Sequence, residues 1–499
     1  MTLYALGDNY FSLKGENQSA WICPLEIDQD ITLLHMRNNM LRNWISRNYN
    51  GPGGIREILP IAFPMMVSSA CDTVMIFTNR LFLARIDSIQ MSAAMGGGVS
   101  FFLLLTFFIG LTGYSSALVA QYLGAGEDRK CAVVITQAVI ISVIAYPLLL
   151  LGIPWANNLF ALSGISPEQL AYQKTYFNIM ASFCIFSLLR NVLSCFFSGI
   201  GRTQFVMFAA FTAMIVNAGF NYIMIFGKLG FPAMGIAGAA YGTTLANMVA
   251  LGILLLAYFS RFSRYQFHIR QSFRFDRVVM KKLFRYGLPA GIEIFFNFSA
   301  FAVMVTLFHA TSPSVAVAAT ILFNWDLVSV VPLIGLGIGV TSLVGRHMGA
   351  KRPDLAKRSA LSGVKSAWIY SICLWGMFFF FPSFLVDIFQ PSHADPVFTN
   401  ARPIAIQMTR LVSVYVLLDA VIITLAGALR GAGDTVFTMI TFVFINWLMV
   451  IVVYILLRVF DLGAVISWTG AIGTLMLLAV ILIFRFKNGK WQNMNVLQT

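Results

Sequence analysis

The sequence repeats itself at a long and nearly constant spacing. Ser198-Gly-Ile-Gly-Arg-Thr-Gln-Phe-Val-Met207 returns 232 residues later as Arg430-Gly-Ala-Gly-Asp-Thr-Val-Phe-Thr-Met439. Leu118-Val-Ala-Gln-Tyr-Leu-Gly-Ala125 returns 225 residues later as Leu343-Val-Gly-Arg-His-Met-Gly-Ala350. Because two unrelated stretches share nearly one offset, they indicate a tandem duplication of half the chain. Duplicated halves flanked by long apolar runs are typical of secondary transporters, whose sites lie where the halves meet.

The composition places both halves in a membrane. The chain is 58% hydrophobic and only 11% charged, whereas soluble domains carry about 25% charged residues. A spanning helix needs roughly 20 apolar residues, and the apolar runs predict six spanning helices in each half. We therefore expect an all-α membrane protein in which two pseudo-twofold-related six-helix bundles enclose a cavity. The predicted helices are 55–83, 89–123, 131–160, 169–199, 204–226, 234–260, 284–310, 314–347, 357–388, 399–430, 435–457 and 464–486.

The net charge of +14 follows the loops and not a basic domain. Eight basic residues lie between the halves, and the loops after the second and eighth helices are also basic, whereas the intervening loops are not. This pattern argues against nucleic-acid binding and predicts that the basic loops and both termini are cytoplasmic. The expected location is the plasma (inner) membrane.

This topology divides the chain into five parts. Residues 1–54 lack the features of a signal peptide, and we interpret them as a cytoplasmic extension with some helical content. In chain order, the other parts are an N-terminal bundle (55–260), a cytoplasmic linker (261–283), a C-terminal bundle (284–486) and a cytoplasmic tail (487–499).

Four acidic residues lie well inside predicted helices: Asp72, Glu293, Asp326 and Asp419. Placing a charged residue near the bilayer centre costs at least about 2.5 kcal/mol on insertion scales, so such residues are functional candidates. A carboxyl group removed from water is harder to ionise, which suits it to loading and releasing a proton. Alternatively, these carboxylates could bind a monovalent cation together with neighbouring carbonyl and amide oxygens.

Several motifs resemble the multidrug and toxic compound extrusion (MATE) family, in particular its bacterial NorM-type branch. They are Gly427-Ala-Leu-Arg-Gly-Ala-Gly-Asp-Thr435 after the tenth helix, Asn217-Ala-Gly-Phe-Asn-Tyr-Ile-Met-Ile-Phe-Gly227 in the fifth, and Cys71-Asp-Thr-Val-Met75 in the first. The resemblance covers roughly residues 55–486. It implies a V-shaped pair of bundles and a cation-coupled exporter that works by alternating access.

The resemblance also implies roles for individual residues. Asp72 matches the acidic residue of the first helix and Asp419 that of the tenth, both implicated in coupling. Asn217 and Asn221 match the polar pair of the fifth helix, and they share a helix face because they are four residues apart. The structural alternative for each of these residues is a polar anchor that hydrogen-bonds neighbouring helices.

The seventh helix departs from the family pattern. Asn297 stands where NorM-type proteins carry an acidic residue, and Glu293 lies one turn earlier on the same face. We expect Glu293 to supply the charge and Asn297 to be a neutral oxygen ligand. Because of this departure, the coupling ion could be H⁺ or Na⁺. Asp326 has no family counterpart that we can name, and it either joins the other second-half acids or pairs with a buried basic group.

The substrate is less defined by the sequence. Aromatic cavities suit flat amphipathic cations through apolar and cation–π contacts. Candidate lining residues on the seventh helix are Phe295, Phe298, Phe301 and Met304, although in a chain with 45 Phe such residues mostly face lipid or core. We expect a small-molecule substrate, no cofactor beyond the coupling ion, no dedicated metal site and a monomer in the bilayer.

Two other functions compete with this interpretation. A lipid-linked oligosaccharide flippase of the same superfamily would present cationic residues to a diphosphate, whereas the charges inside the predicted helices are mostly acidic. A membrane-embedded enzyme would need a metal or nucleophile motif. The sequence contains no HExxH motif, no Gly-rich Ser elbow and no GxxxxGK[ST] loop.

Overall fold

A computed structural model describes residues 3–5, 11–15, 18–22, 49–161, 165–390 and 396–498. The chain divides into two compact units, Met1–Glu57 and Ile58–Thr499. In the first unit, three antiparallel strands form a sheet in the order β1-β2-β3, and they are β1 (Leu3–Ala5), β2 (Phe11–Gly15) and β3 (Gln18–Ile22). The sequence analysis did not predict these strands. In β2 the apolar Phe11 and Leu13 alternate with polar residues, which is the period of a strand.

The helices that follow confirm the predicted twelve spans. Eleven are continuous and long enough to cross a membrane, and one is a pair of helices bent by 50°. They are α1 (Ile55–Ala84), α2 (Ser88–Gly113 and Ser115–Gly124), α3 (Asp128–Ala161), α4 (Pro167–Ser182 and Cys184–Gly199), α5 (Gln204–Phe226), α6 (Ile236–Tyr258), α7 (Arg277–His309), α8 (Pro313–Gly349), α9 (Pro353–Phe380), α10 (Pro396–Ala432), α11 (Thr435–Tyr454, extended by a π-helical turn, Ile455–Val459) and α12 (Gly463–Lys487).

Two helix bounds differ clearly from the prediction, the start of α7 and the end of α9. The apolar run predicts a start at residue 284, but the helix begins at Arg277, because Asp276 caps it by accepting hydrogen bonds from the backbone amides of Val278 and Val279. Basic residues therefore extend the helix beyond its apolar part. The apolar run predicts that α9 ends at residue 388, but the helix ends at Phe380, because Pro382 disfavours a helical backbone at the preceding Phe381. Pro382 then begins the short helix Pro382–Asp387.

The two bundles touch at one end, which we name the basic end because the basic α2–α3 and α8–α9 loops lie there. The contact is reciprocal. A Cβ atom at Gly124 would overlap the carbonyl oxygen of Arg346, and a Cβ atom at Gly349 would overlap that of Gln121. Gly124 and Gly349 are equivalent in the 225-residue repeat, as are Gln121 and Arg346. The contacts of the two repeats are therefore related by a pseudo-twofold axis between the bundles.

The same symmetry relates two helix crossings further from the basic end. A Cβ atom at Gly110 in α2 would lie 2.7 Å from Cα of Gly291 in α7. In the equivalent crossing, a Cβ atom at Gly335 in α8 would lie 2.6 Å from the amide nitrogen of Met66 in α1. These glycines let the backbones of the two halves approach closely.

The second repeated motif completes this contact. The Gln121 side-chain amide donates to the carbonyl oxygen of Gly431 at 2.8 Å, and the Ser342 hydroxyl donates to that of Ser198 at 2.6 Å. Ser198 and Gly431 belong to the two copies of the motif after α4 and α10. Both repeated stretches therefore lie where the halves meet.

The C-terminal tail and the start of α7 also bind across the halves. Val279 and Leu283 of α7 pack in the core of the first bundle, and so does Val496 of the tail. The Lys282 ammonium donates to the carbonyl oxygen of Leu497 at 2.5 Å. The tail thus leaves the second bundle at the end of α12 and packs against the first bundle.

These contacts make the glycines of the basic end sensitive to one added methyl group. We expect Gly349→Ala to cost about 1–3 kcal/mol, because the new Cβ atom meets the backbone of Gln121 and not a flexible side chain. Thermal unfolding of the purified protein in detergent measures this loss.

Gly376 in α9 is a matched control, because a Cβ atom there meets nothing within 4 Å. Gly376→Ala should leave the unfolding midpoint unchanged or raise it, since Ala is favoured over Gly in helices by up to about 1 kcal/mol. Equal midpoints for the two variants would contradict the close contact at Gly349.

Candidate functional site

The first bundle contains a cluster of buried amide groups, as the spacing of Asn217 and Asn221 in α5 indicates. The Asn221 side-chain amide donates to Asn217 Oδ1 at 3.1 Å and to Asn79 Oδ1 of α1. Asn79 and Asn217 each donate to the Thr243 hydroxyl of α6, at 2.8 and 3.2 Å. These side chains form one neutral network between three helices, in which Asn221 Oδ1 is buried without a hydrogen-bond partner.

Asp72 lies beside this network and not in it. Its Oδ1 accepts a hydrogen bond from Arg190 of α4 at 2.7 Å, so the two side chains form an ion pair. Arg190 also donates to Asn247 Oδ1 at 2.9 Å, and the Asn247 amide donates to the carbonyl oxygen of Thr243 at 3.1 Å. The Arg190 guanidinium therefore pairs with Asp72, and no hydrogen bond joins Asp72 to the α5 asparagines in the described residues.

Asn79 is the functional candidate that the sequence analysis missed in this bundle. It lies seven residues after Asp72, which is two helical turns further on the same side of α1. This two-turn spacing from Asp72 was the sequence signal that could have identified Asn79. Its hydrogen bonds show that Asn79, and not Asp72, is the α1 side chain in contact with Asn221.

The second bundle brings two acidic residues together. Asp326 of α8 and Asp419 of α10 are 8% and 5% exposed. The hydroxyl of Tyr415, one turn before Asp419, interacts with both carboxyl groups. Oδ1 of Asp326 and Oδ2 of Asp419 are buried without hydrogen-bond partners. Within the described ranges neither residue has an ion pair. Asp326 therefore lies beside another acidic residue and does not pair with a buried basic group.

Glu293 is separated from this acidic pair. Its side chain is 0% exposed and forms an ion pair with Arg430, near the basic end of α10. The Arg430 guanidinium also lies 5.7 Å from the centre of the Phe442 ring. Asn297, one turn along α7, accepts a hydrogen bond from the Asn446 amide at 3.0 Å. The two α7 residues that the sequence groups together thus have different partners, one charged and one neutral.

The aromatic candidates of α7 lie in different environments. Phe298 packs edge to face on Phe102 of α2, with 5.0 Å between ring centres, and so bridges the bundles. Phe301 packs on Phe323 in the second bundle at 5.4 Å, and Met304 is buried in that core. Phe295 contacts the neighbouring Phe296 at 5.5 Å. Phe298 is therefore the candidate placed between the two halves.

Twelve helices in two repeat-related bundles, with buried polar clusters in each half, define a duplicated membrane transporter. The MatE family model matches this chain at residues 64–223 and 289–455, one segment in each half. The chain belongs to the MATE family.

Curated relatives agree with this assignment along nearly the whole chain. The probable multidrug resistance protein NorM of Thermotoga maritima is 25% identical over 469 residues, which is 93% of this chain and 98% of that protein. The multidrug resistance protein PmpM of Pseudomonas aeruginosa is 28% identical over 416 residues, covering 81% of this chain and 84% of that protein. The chain is therefore NorM-like.

Solved structures show the same fold. A transporter of the MOP superfamily from Pyrococcus furiosus superimposes with a TM-score of 0.81 at 19% identity, covering 89% of this chain and 97% of that one. An outward-facing multidrug resistance MATE transporter superimposes with a TM-score of 0.80 at 20% identity, covering 89% and 98%.

The two ion pairs should differ in their contribution to stability. Arg430→Gln leaves the carboxylate of Glu293 buried and uncompensated, which costs about 3–5 kcal/mol. Arg190→Gln should cost less than Arg430→Gln, because the Asp72 side chain is 44% exposed whereas that of Glu293 is fully buried. Unfolding of both variants in the same detergent compares these losses.

The charge-balanced variants are the controls. Adding Glu293→Gln to Arg430→Gln should recover most of the lost stability, because no buried charge then remains unpaired. If the double variant is no more stable than Arg430→Gln alone, the ion pair is not the source of the loss.

Proposed function

We propose that this protein is a secondary active antiporter that exports amphipathic, cationic small molecules in exchange for H⁺ or Na⁺ by alternating access. The family membership and the names of its relatives as multidrug resistance proteins support the substrate class. The protein acts as a monomer in the plasma membrane and carries no catalytic site of its own. Its coupling residues are Asp326 and Asp419, with Tyr415 between them.

One observation carries the assignment of the coupling site. Of the four acidic residues that the sequence identifies inside the membrane, Asp72 and Glu293 are neutralised by arginines, whereas Asp326 and Asp419 are not. Two neighbouring carboxyl groups without a basic partner cannot both remain charged in a dry site at low cost. A proton, a sodium ion or the cationic group of a substrate can supply the missing positive charge.

This arrangement gives a direct exchange mechanism. A carboxyl–tyrosine–carboxyl set offers several oxygen atoms, with which it can share a proton or bind a sodium ion. Binding of a cationic substrate at the same residues displaces that ion, since the same negative charge cannot be neutralised twice without cost. Alternate opening of the V at its two ends then moves the substrate out and the coupling ion in.

The amide network of the first bundle has a different role in this proposal. Asn79, Asn217 and Asn221 are neutral and hold three helices together, and Asn221 keeps one free acceptor. Such a network can bind polar groups of a substrate without changing its charge. The Asp72–Arg190 pair is likewise neutral overall, so the coupling charge belongs to the second bundle.

The flippase alternative receives less support from these contacts. Its diphosphate substrate would need free cationic side chains, whereas Arg190 and Arg430 each bind a carboxylate. For an enzyme, the described residues contain no group of three His, Cys, Asp or Glu side chains that could hold a metal ion.

Efflux of a fluorescent cationic dye from proteoliposomes tests the coupling site, with a proton gradient and a sodium gradient imposed separately. Asp326→Asn and Asp419→Asn should each reduce gradient-driven efflux by about tenfold or more under the gradient that drives the wild type, because each removes a carboxylate of the exchange site. Asp387→Asn is a control, since Asp387 ends the short helix Pro382–Asp387, is partly exposed and pairs with Arg402 outside the acidic pair.

Wild-type rates in both variants would overturn the assignment of these residues. A wild type that does not move the dye but translocates a fluorescent polyprenyl diphosphate would instead identify a flippase. Correct folding of each variant is established by its thermal unfolding midpoint, so that loss of transport and loss of structure remain distinguishable.

The membrane orientation has its own test. We expect the segment between α6 and α7 to be cytoplasmic and the segment between α9 and α10 to face the opposite side. Ser392, a natural labelling position in the second segment, lies outside the described residues, whereas Gln390 does not. Arg270→Cys and Gln390→Cys, in a background without reactive cysteines, should react with a membrane-impermeant maleimide from opposite sides. Labelling of both from one side would contradict the twelve-span topology.

A further inference from the structure

We propose that the segment joining the two halves carries a docking surface for anionic lipid headgroups. This linker surface combines exposed basic residues with exposed apolar ones. The basic residues are Arg261, Arg270, Arg274, Arg277 and Lys281, and the apolar residues are Tyr265, Phe273, Phe275 and Val278. Tyr265 is 77% exposed and Phe275 is 64% exposed, so other parts of the protein leave most of these side chains uncovered.

The opposite side of the linker is fixed to the first bundle. Phe267 and Ile269 are buried in its core, and Phe267 packs on Phe196 with 5.3 Å between ring centres. Ser272 is also buried. These buried residues fix the segment to the first bundle, and the exposed side chains between them therefore face away from it.

Two contacts place this face beside the apolar helices of the first bundle. The Gln137 amide donates to the carbonyl oxygen of Arg274 at 2.8 Å. Gln137 lies nine residues into α3, which is about 13 Å along the helix from its charged first residue. Phe273 stacks on Phe259, the residue that follows α6, with ring centres 6.3 Å apart. The linker therefore runs along the side of the bundle near the apolar helix segments.

The charge of the face selects the kind of lipid. Asp276 is the single acidic residue from 261 to 281, and its Oδ1 is occupied by the capped amides of α7. Within the described part of the chain, none of the five exposed basic side chains forms an ion pair. Basic residues next to a membrane surface are attracted to anionic headgroups, and neighbouring aromatic rings insert at the same boundary. A soluble acidic partner would not explain the exposed rings at this depth.

Hydrogen–deuterium exchange of the full-length protein in nanodiscs tests the proposal. In nanodiscs containing phosphatidylglycerol, amides of residues 269–278 should exchange about threefold or more slowly than in pure phosphatidylcholine nanodiscs. High salt should abolish this difference, because it screens exposed charges. Inorganic phosphate added to the phosphatidylcholine nanodiscs should have no such effect, because a free anion offers no apolar layer for the rings.

Two charge-matched variants make the test specific. Arg270→Gln, Arg274→Gln and Arg277→Gln together should abolish the protection by phosphatidylglycerol. Lys351→Gln, Arg352→Gln and Lys357→Gln remove the same charge from the α8–α9 loop and the first turns of α9, at the same end of the protein, and they should leave the protection intact. Phe273→Ser with Phe275→Ser should reduce the protection without any change of charge.

Three outcomes would overturn the proposal. They are equal exchange in the two kinds of nanodisc, equal loss of protection in both charge variants, and full protection by inorganic phosphate alone. The first outcome excludes recognition of anionic lipid. The second shows that the protection depends on the net charge of this end and not on the linker surface. The third identifies a site for free anions.

Discussion

The requirement that charge inside a membrane be neutralised governs how this protein arranges its intramembrane acids. Asp72 meets it through Arg190 and Glu293 through Arg430. Asp326 and Asp419 have only the Tyr415 hydroxyl between them. The first two acids are therefore paired with arginines within the fold. The last two have no ion pair among the described residues, and the proposed coupling role of Asp326 and Asp419 rests on this difference.

The glycine contacts define how the two bundles meet at the basic end. The bundles meet at the basic end through backbone atoms of repeat-equivalent residues, such as Gly124 with Arg346 and Gly349 with Gln121. Polar bonds at this end join side chains of one half to backbone carbonyl groups of the other. The tail residue Val496 is also buried in the first bundle's core at this end. Under the proposed alternating access, these are the contacts that opening of this end would break.

The sequence predicted the parts of the structure that depend on local pattern. The repeat offset indicated two halves, apolar runs gave twelve helices, and the four-residue spacing of Asn217 and Asn221 gave their shared face. It did not reveal partners that are distant in sequence. Arg190 is 118 residues from Asp72, and Arg430 is 137 residues from Glu293. Tertiary packing decides these pairings. It also explains why Glu293, although one turn from Asn297, does not supply charge to the same cluster.

The most direct test of this account measures ion release on substrate binding. Isothermal titration calorimetry of the purified protein, in buffers of different ionisation enthalpy and with or without sodium, counts the cations displaced by a cationic substrate. The account predicts that the wild type and the charge-balanced Asp72→Asn with Arg190→Gln variant each release about one cation per substrate. Asp326→Asn with Asp419→Asn should release none. Unchanged release from this second variant, or its loss from the first, would contradict a coupling site formed by Asp326, Tyr415 and Asp419.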